Sequence, residues 1–357
     1  MRDSLSAEFQ AYTLNFKRPS GTSRGVLTQK PSFFLTLISE RAKGIGECGI
    51  LPGLSVESFQ DYPQKLAEVA KHIHSVESAE KLLQKLTPFP SIRFGLEMAL
   101  LDLKTANPFE LFPSAFSQGE ATQAINGLVW MGDLSFMKDQ LRLRLEEGFR
   151  CIKIKIGALD FEEELRLLQK IRKEFPVRDI ELRVDANGAF DPHLALDKLK
   201  RLAKYDIHSI EQPIRQGQWQ EMARLCEESP IPIALDEELI GVWEKEEKAR
   251  LLSTISPQYL IYKPSLIGGI AACEEWIGLA KNQNVGWWVT SALESNIGLN
   301  AIAQWTYTLK NSMPQGLGTG SLYTNNFPSP LYIAKGRLGY NPKHPWELDK
   351  LLVKGER

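Results

Sequence analysis

The 357 residues carry 43 Lys and Arg against 44 Asp and Glu, a formal net charge of −1, and 43% of them are hydrophobic. That composition suits a globular chain with one large core and room for a smaller second unit. The charge balance argues against nucleic acid or an anionic membrane as a partner, because both recruit basic patches. No apolar run approaches the roughly 18 residues of a membrane helix. The opening MRDSLSAEFQ also lacks the basic-then-apolar layout of a signal peptide, so a cytoplasmic location is expected. Cys48, Cys151, Cys226 and Cys273 form no CxxC pair, which suggests neither a zinc site nor a disulfide framework. Histidine is as scarce: His72 and His74 fall on different faces of a helical stretch, and His193 and His208 are isolated.

The first part reads as strands at 7–16, 31–40 and 43–50. KRPSGTSRG (17–25) is expected to be a mobile loop between the first two. Helical periodicity follows over 57–74, 76–86 and 91–106, so residues 1–115 are expected to form a small α+β unit.

After about residue 120 short apolar strands alternate with amphipathic helices: QAINGLV, CIKIKIG, IELRVDANG, HSIEQPI, IPIALDEE, YLIYKPS, VGWWVTSALES and MPQGLG. Charged or polar residues recur near the strand ends. Lys155 to Asp185 is 30 residues, Asp185 to Glu211 is 26, Glu211 to Asp236 is 25, and Asp236 to Lys263 and Lys263 to Thr290 are 27 each. A βα unit of this size repeated eight times implies a closed parallel barrel. An open doubly wound sheet would show a Gly-rich phosphate turn after its first strand, and INGLVWMGDL is not one. The fold class is therefore α/β, a TIM-like (β/α)8-type barrel over 116–324 behind an N-terminal α+β cap. The tail 325–357 lacks a further βα unit and is expected to return to the cap.

In FRCIKIKIG the isoleucines alternate with Lys153 and Lys155. On a solvated strand the lysines would face water. In a barrel Ile152, Ile154 and Ile156 pack under the helices instead, and both lysines point inward. The same parity turns Asp185, Glu211, Asp236 and Lys263 inward at the C-terminal mouth, where such barrels carry their active sites. Three carboxylates there either form an ion-pair cluster with the lysines or hold a cation. An all-oxygen set without His or Cys matches a hard divalent ion, Mg²⁺ first, with Mn²⁺ as a substitute. Asn187 is placed to support the site by hydrogen bonding. Glu237 and Glu238 follow Asp236, so the ligand position is open to a one-residue slip, although parity favours Asp236. Lysines beside a cation that holds a substrate carboxylate suit removal of the α-proton. Lys153 and the cation are expected to depress the pKa of Lys155, the base.

These motifs resemble the enolase superfamily, specifically its muconate-lactonising subgroup. The likeness runs through RFGLEMALLDL, the Lys-x-Lys pair, VDANGAF, IEQPI, LDEEL and YKPSLIGG. No histidine falls between His208 and His344, which disfavours the mandelate-racemase-like branch. TSALESNIGLNAIAQ and GLGTGSLYTNN further resemble the o-succinylbenzoate synthase family of menaquinone biosynthesis. Residues 313–326 also lack the Asp-x-Asp with which dipeptide epimerases of the subgroup hold an ammonium group.

The resemblance implies Mg²⁺ on Asp185, Glu211 and Asp236. It also implies Lys155 and Lys263 on opposite faces of a small carboxylate substrate, and a hydro-lyase reaction through a metal-stabilised enediolate. The substrate would be 2-succinyl-6-hydroxy-2,4-cyclohexadiene-1-carboxylate and the product 2-succinylbenzoate. Lys263 would add charge and cation–π stabilisation, with Lys153, Asn187 and Glu237 in support. Ser291, Gly316 and Gly318 would let backbone approach the succinyl carboxylate, and Arg24 with the 51–55 turn would close over it. An N-succinyl-amino-acid racemase or cycloisomerase would share this machinery. A non-catalytic barrel scaffold would have lost a ligand or a lysine, and none is lost. The sequence leaves oligomeric state open.

Overall fold

The computed structural model describes residues 4–22 and 25–351. Strands β1 (Ser6–Thr22), β2 (Gly25–Ile38) and β3 (Lys43–Cys48) form an antiparallel sheet in that order. The segment expected to be a loop is mostly hairpin, since pairing continues through Ser20↔Leu27 and Gly21↔Val26 to Thr22↔Gly25. Between Asn15↔Gln29 and Ser20↔Leu27 the register jumps, five steps on β1 against two on β2. The irregularity spans Pro19, which has no N–H to give to a ladder, so the extra residues bulge out and the strands resume beyond them. Arg24 lies outside the described residues.

Helices α1 (Tyr62–Lys71), α2 (Val76–Lys85) and α3 (Pro90–Leu103) pack on this sheet. Helix α1 starts five residues later than periodicity suggests. Proline occupies its first turn, and Glu57 instead accepts hydrogen bonds from the backbone N–H and hydroxyl of Ser91, each at 2.7 Å. Helix α3 lies close against β3 because glycines line the contact. A Cβ on Gly46 would fall 1.8 Å from the Gly95 carbonyl oxygen.

Strands β4 (Gln123–Ala124) and β5 (Gly127–Val129) lead into the alternating part. There follow α4 (Leu134–Glu146), β6 (Cys151–Lys155), α5 (Phe161–Glu174), β7 (Glu181–Asp185), α6 (Pro192–Leu202), β8 (Ile207–Glu211) and α7 (Trp219–Glu228). The series continues with β9 (Ile233–Leu235), α8 (Lys245–Ile255), β10 (Tyr259–Tyr262), α9 (Pro264–Ile267), α10 (Gly269–Asn282), β11 (Gly286–Val289) and α11 (Asn296–Thr308). Among the described residues β5 to β11 form one parallel sheet in consecutive order.

The eighth strand expected at MPQGLG is reduced to two bridges. Gln315 pairs with Ile125 and Gly316 with Thr290, which joins the last unit to the first and closes the barrel. Glycines at 316 and 318 weaken a longer ladder here. The chain then runs beside β1, where the Thr324 N–H donates to the Asn15 carbonyl at 2.9 Å and the Tyr12 hydroxyl donates to the Asn325 carbonyl at 2.6 Å. Only after that does a hairpin, β12 (Leu331–Ala334) with β13 (Arg337–Tyr340), pair with β4.

Two carboxylates of the N-terminal unit clamp it to the barrel. Glu47 accepts the Ser295 N–H at 2.9 Å and the Gly298 N–H at 3.1 Å, at the start of α11. Glu97 accepts the N–H groups of Ile270 and Ala271 at 2.6 and 3.0 Å, at the start of α10. Both satisfy amides that a helix N-terminus leaves unpaired and place negative charge at its positive end.

Among the described residues no helix is long and apolar enough to cross a membrane. The glycine contact between β3 and α3 gives a direct test. Gly46→Val is expected to destabilise the protein by about 3 kcal/mol or more through overpacking, read as a lower Tm in thermal unfolding. An unchanged Tm would contradict the close approach.

Candidate active site

Strand β6 is buried along its whole length, with both faces covered. Ile152, Ile154 and Ile156 join the core outside the barrel sheet, while Lys153 and Lys155 are only 5% and 8% exposed inside it. Their register partners on β7, Arg183 and Asp185, share that inward direction, and Asp185 pairs in turn with Glu211 on β8. Asp236 and Lys263 follow the ends of β9 and β10. The expected parity therefore holds across five strands.

Ligand atoms from Asp185, Glu211 and Asp236 lie within 4.8 Å of one another, and all three residues are buried. Lys153 Nζ donates to Glu211 at 2.7 Å and to Asp185 at 3.3 Å. Lys155 Nζ donates to Asp185 at 2.6 Å and to the Asn187 side-chain oxygen at 2.7 Å. Lys263 pairs with Asp236 from the other side. Asn187 adopts the left-handed region, φ 45°, which Asn tolerates better than most residues. That conformation lets its amide bridge Lys155 and, at 3.0 Å, Glu237. Glu237 thus supports Asn187, and Asp236 takes the place in the triad.

The electrostatics separate the two lysines of the pair. Burial alone would raise the Asp185 carboxyl, but Lys155, Lys153 and Lys263 outweigh it and hold Asp185 well below the usual carboxylate range. Burial opposes the charge on Lys153 too, yet Glu211 and Asp185 raise its pKa. Lys155 shifts the opposite way. Its pKa is lowered chiefly by burial and further by Lys153 and Lys263, against the pull of Asp185. The expected direction is met, but desolvation rather than the neighbouring ammonium is the main cause. Glu211 is pushed up to about 8 by burial, against the pull of Lys153.

One observation bears on what the triad holds. Glu211 Oε1 is buried with no hydrogen-bond partner, an unstable position for a carboxylate oxygen unless a further positive group meets it. Three buried carboxylates, close together and without His or Cys, fit a hard divalent cation.

Above the triad opens a cavity of about 260 Å³, lined by Lys153, Lys155, Lys263 and Asn187. Leu51, Pro52, Gly53 and Leu54 cover it from the N-terminal unit, as expected for the 51–55 turn. Among the described residues no Asp or Glu lines it. Ser291, Gly316 and Gly318 reach the cavity wall, but two of their three amides are already committed. The Ser291 N–H donates to the Gly316 carbonyl at 3.0 Å, and the Gly316 N–H donates to the Val289 carbonyl at 2.8 Å. Closing the barrel requires those bonds, so neither amide faces a ligand. The Ser291 hydroxyl in turn donates to the buried Glu294 and accepts from Thr319 at 2.8 Å. Sequence reasoning singles out neither Glu294 nor Asn126, which also lines the cavity. The available signal for Asn126 is a polar side chain between Ile125 and Gly127 in QAINGLV.

The comparisons with known proteins agree with this geometry. Residues 137–343 match the family model described as enolase C-terminal domain-like, and residues 6–103 match that of the MenC N-terminal domain. An o-succinylbenzoate synthase of Desulfotalea psychrophila is 46% identical over 94% of this chain and 99% of its own. The N-succinylamino acid racemase of Thermus thermophilus is 30% identical over 82% and 79%. Among solved structures, MenC of D. psychrophila superposes with a TM-score of 0.85 at 44% identity, covering 94% of this chain and 99% of that one. The muconate lactonizing enzyme of Pseudomonas fluorescens shares the fold at a TM-score of 0.84 and 22% identity, over 98% of each chain. The chain belongs to the enolase superfamily and, within it, to the o-succinylbenzoate synthase family.

Proposed function

We propose that the chain dehydrates 2-succinyl-6-hydroxy-2,4-cyclohexadiene-1-carboxylate to 2-succinylbenzoate. A buried lysine beside an acidic triad, in a cavity without a carboxylate on its wall, supports proton abstraction from a dicarboxylate. A substrate with two carboxylates and no ammonium group suits such a wall. The 46% identity with a relative named o-succinylbenzoate synthase carries the choice of dehydration. Residues 1–115, 116–324 and 325–357 are assigned to the cap, the barrel and a C-terminal segment.

Asp185, Glu211 and Asp236 are assigned to Mg²⁺, with Mn²⁺ as a substitute. When bound, the cation supplies Lewis-acid stabilisation of negative charge on the substrate carboxylate. Lys155 acts from its neutral amine, which the depressed pKa makes accessible. It takes the proton from C1, becomes an ammonium, and returns a proton to the departing C6 hydroxyl, so that one water leaves and the ring becomes aromatic. Lys263, tied to Asp236 on the other side, keeps its positive charge because burial, the largest single influence, is outweighed by Asp236, Glu237 and Glu211 together. It is assigned to electrostatic and cation–π stabilisation of the ring. Lys153 stays an ammonium and fixes Glu211 and Asp185, and Asn187 orients Lys155 with help from Glu237.

Racemisation of N-succinylamino acids would use the same two lysines as opposed bases, and the Thermus relative is named for that activity. Side-by-side assay on both substrates separates the two reactions. The absence of an acidic side chain on the cavity wall does not, since both substrates are dicarboxylates.

Lys155→Ala is expected to cut turnover about a hundred- to ten-thousandfold, the range for loss of a general acid–base, while cation binding stays intact. Turnover within a few-fold of wild type would remove Lys155 from the chemistry. Added Mg²⁺ is expected to raise Tm, by about 2.7 kcal/mol of stability when its concentration is about a hundred times Kd. Glu211→Gln is expected to abolish that shift, and a shift that survived would place the cation elsewhere.

A further inference from the structure

The buried carboxamides of this protein are almost all engaged. Gln123 donates to the Ala303 carbonyl, Gln212 to Ile214 and Glu238, and Gln315 to Met313 while accepting from Val289. Asn300 and Gln304 both donate to the Phe109 carbonyl, and Asn187 bridges Lys155 and Glu237. Asn126 is the exception. It is 5% exposed, and its backbone N–H donates to the Gln315 carbonyl at 2.9 Å, yet no described residue hydrogen-bonds its side-chain amide.

That amide belongs to the wall of the cavity holding Lys153, Lys155 and Lys263. Asn126 sits at the seam where the last barrel unit meets the first, and the residue facing it is small: a Cβ on Gly318 would lie 3.7 Å from the Asn126 carbonyl oxygen. The Asn126 amide atoms open onto the cavity, where water meets them until a ligand's polar group takes that place. An orphaned amide on the wall of an active-site cavity is accounted for by a partner that arrives with the ligand.

We infer that the Asn126 carboxamide is a specificity-determining residue that donates to the carboxylate of the substrate's succinyl arm. The inference rests on the dehydration reading above. With the ring carboxylate assigned to the cation, the arm carries the remaining negative charge. The three cavity lysines are held by the triad and Asn187, the Ser291 and Gly316 amides close the barrel, and the Ser291 hydroxyl is held by Glu294. An amide donor is suited to a carboxylate and, being neutral, leaves the balance among the lysines and the triad undisturbed.

The test is a cycle between one protein group and one ligand group, with the Mg²⁺-loaded protein. Calorimetric Kd values are measured for 2-succinylbenzoate and for 2-butyrylbenzoate, in which a methyl replaces the arm's carboxylate. Wild type is expected to prefer the dicarboxylate. Asn126→Leu should shrink that preference by about ten- to a hundredfold, the range for a hydrogen bond to a charged group, and Asn126→Asp should shrink it at least as far. Ligand-free Asn126→Leu should melt at the wild-type Tm or above it, because no protein hydrogen bond is lost. A preference that survives in Asn126→Leu, equal weakening of both ligands, or a lower Tm overturns the assignment. Wild-type protein that fails to dehydrate the cyclohexadiene carboxylate would instead overturn the functional reading itself, so the two failures are distinct.

Discussion

Three carboxylates held within 4.8 Å of one another inside a barrel cannot persist without positive charge. Lys153, Lys155 and Lys263 supply it within the chain, and the unpaired Glu211 oxygen leaves a place that fits a divalent cation. Much else in the fold serves this cluster. Strand β6 is buried on both faces so that its lysines have nowhere to point but inward, and the 25- to 30-residue repeat brings each partner to the same mouth. Desolvation then does two jobs at once. It strengthens each ion pair, and it makes Lys155, whose neighbours include two other ammonium groups, the lysine of the pair that loses its proton more readily.

The N-terminal unit matters because the barrel mouth alone is open. Its turn at 51–54 roofs the cavity, and its position is fixed by Glu47, buried, and Glu97, half-buried, each at the start of a barrel helix. Glu47 also accepts a hydrogen bond from Ser32 at 2.9 Å, with Lys30 at 3.6 Å, so the clamp is anchored in the cap sheet. One face of α11 begins on that clamp, and Glu294 just before it gathers Ser265 and Ser291. The roof, the wall and the segment after Lys263 are thereby parts of one hydrogen-bonded assembly.

The inward residues were legible from sequence because strand parity is strict: once the repeat closes a barrel, a charge at alternate positions has one destination. Other features were not legible, for particular reasons. KRPSGTSRG has the composition of a loop, yet the residues after Pro19 recover strand pairing because β2 offers a template that composition does not reveal. MPQGLG reads as a strand like its predecessors, but only Gln315 and Gly316 pair. Ser291 and Gly316 looked available to a ligand, because a sequence does not show which amides closure consumes. Asn126 escaped notice because its significance lies in a missing partner, and partners are tertiary facts.

In the proposed reaction an amine on β6 removes a carbon-bound proton beside a cation-held carboxylate. Single-turnover rates with substrate deuterated at C1 test it most directly. Deuteration is expected to slow the formation of 2-succinylbenzoate several-fold, and excess chelator is expected to stop it. Equal rates for the two isotopologues, together with turnover that persists in chelator, would contradict it.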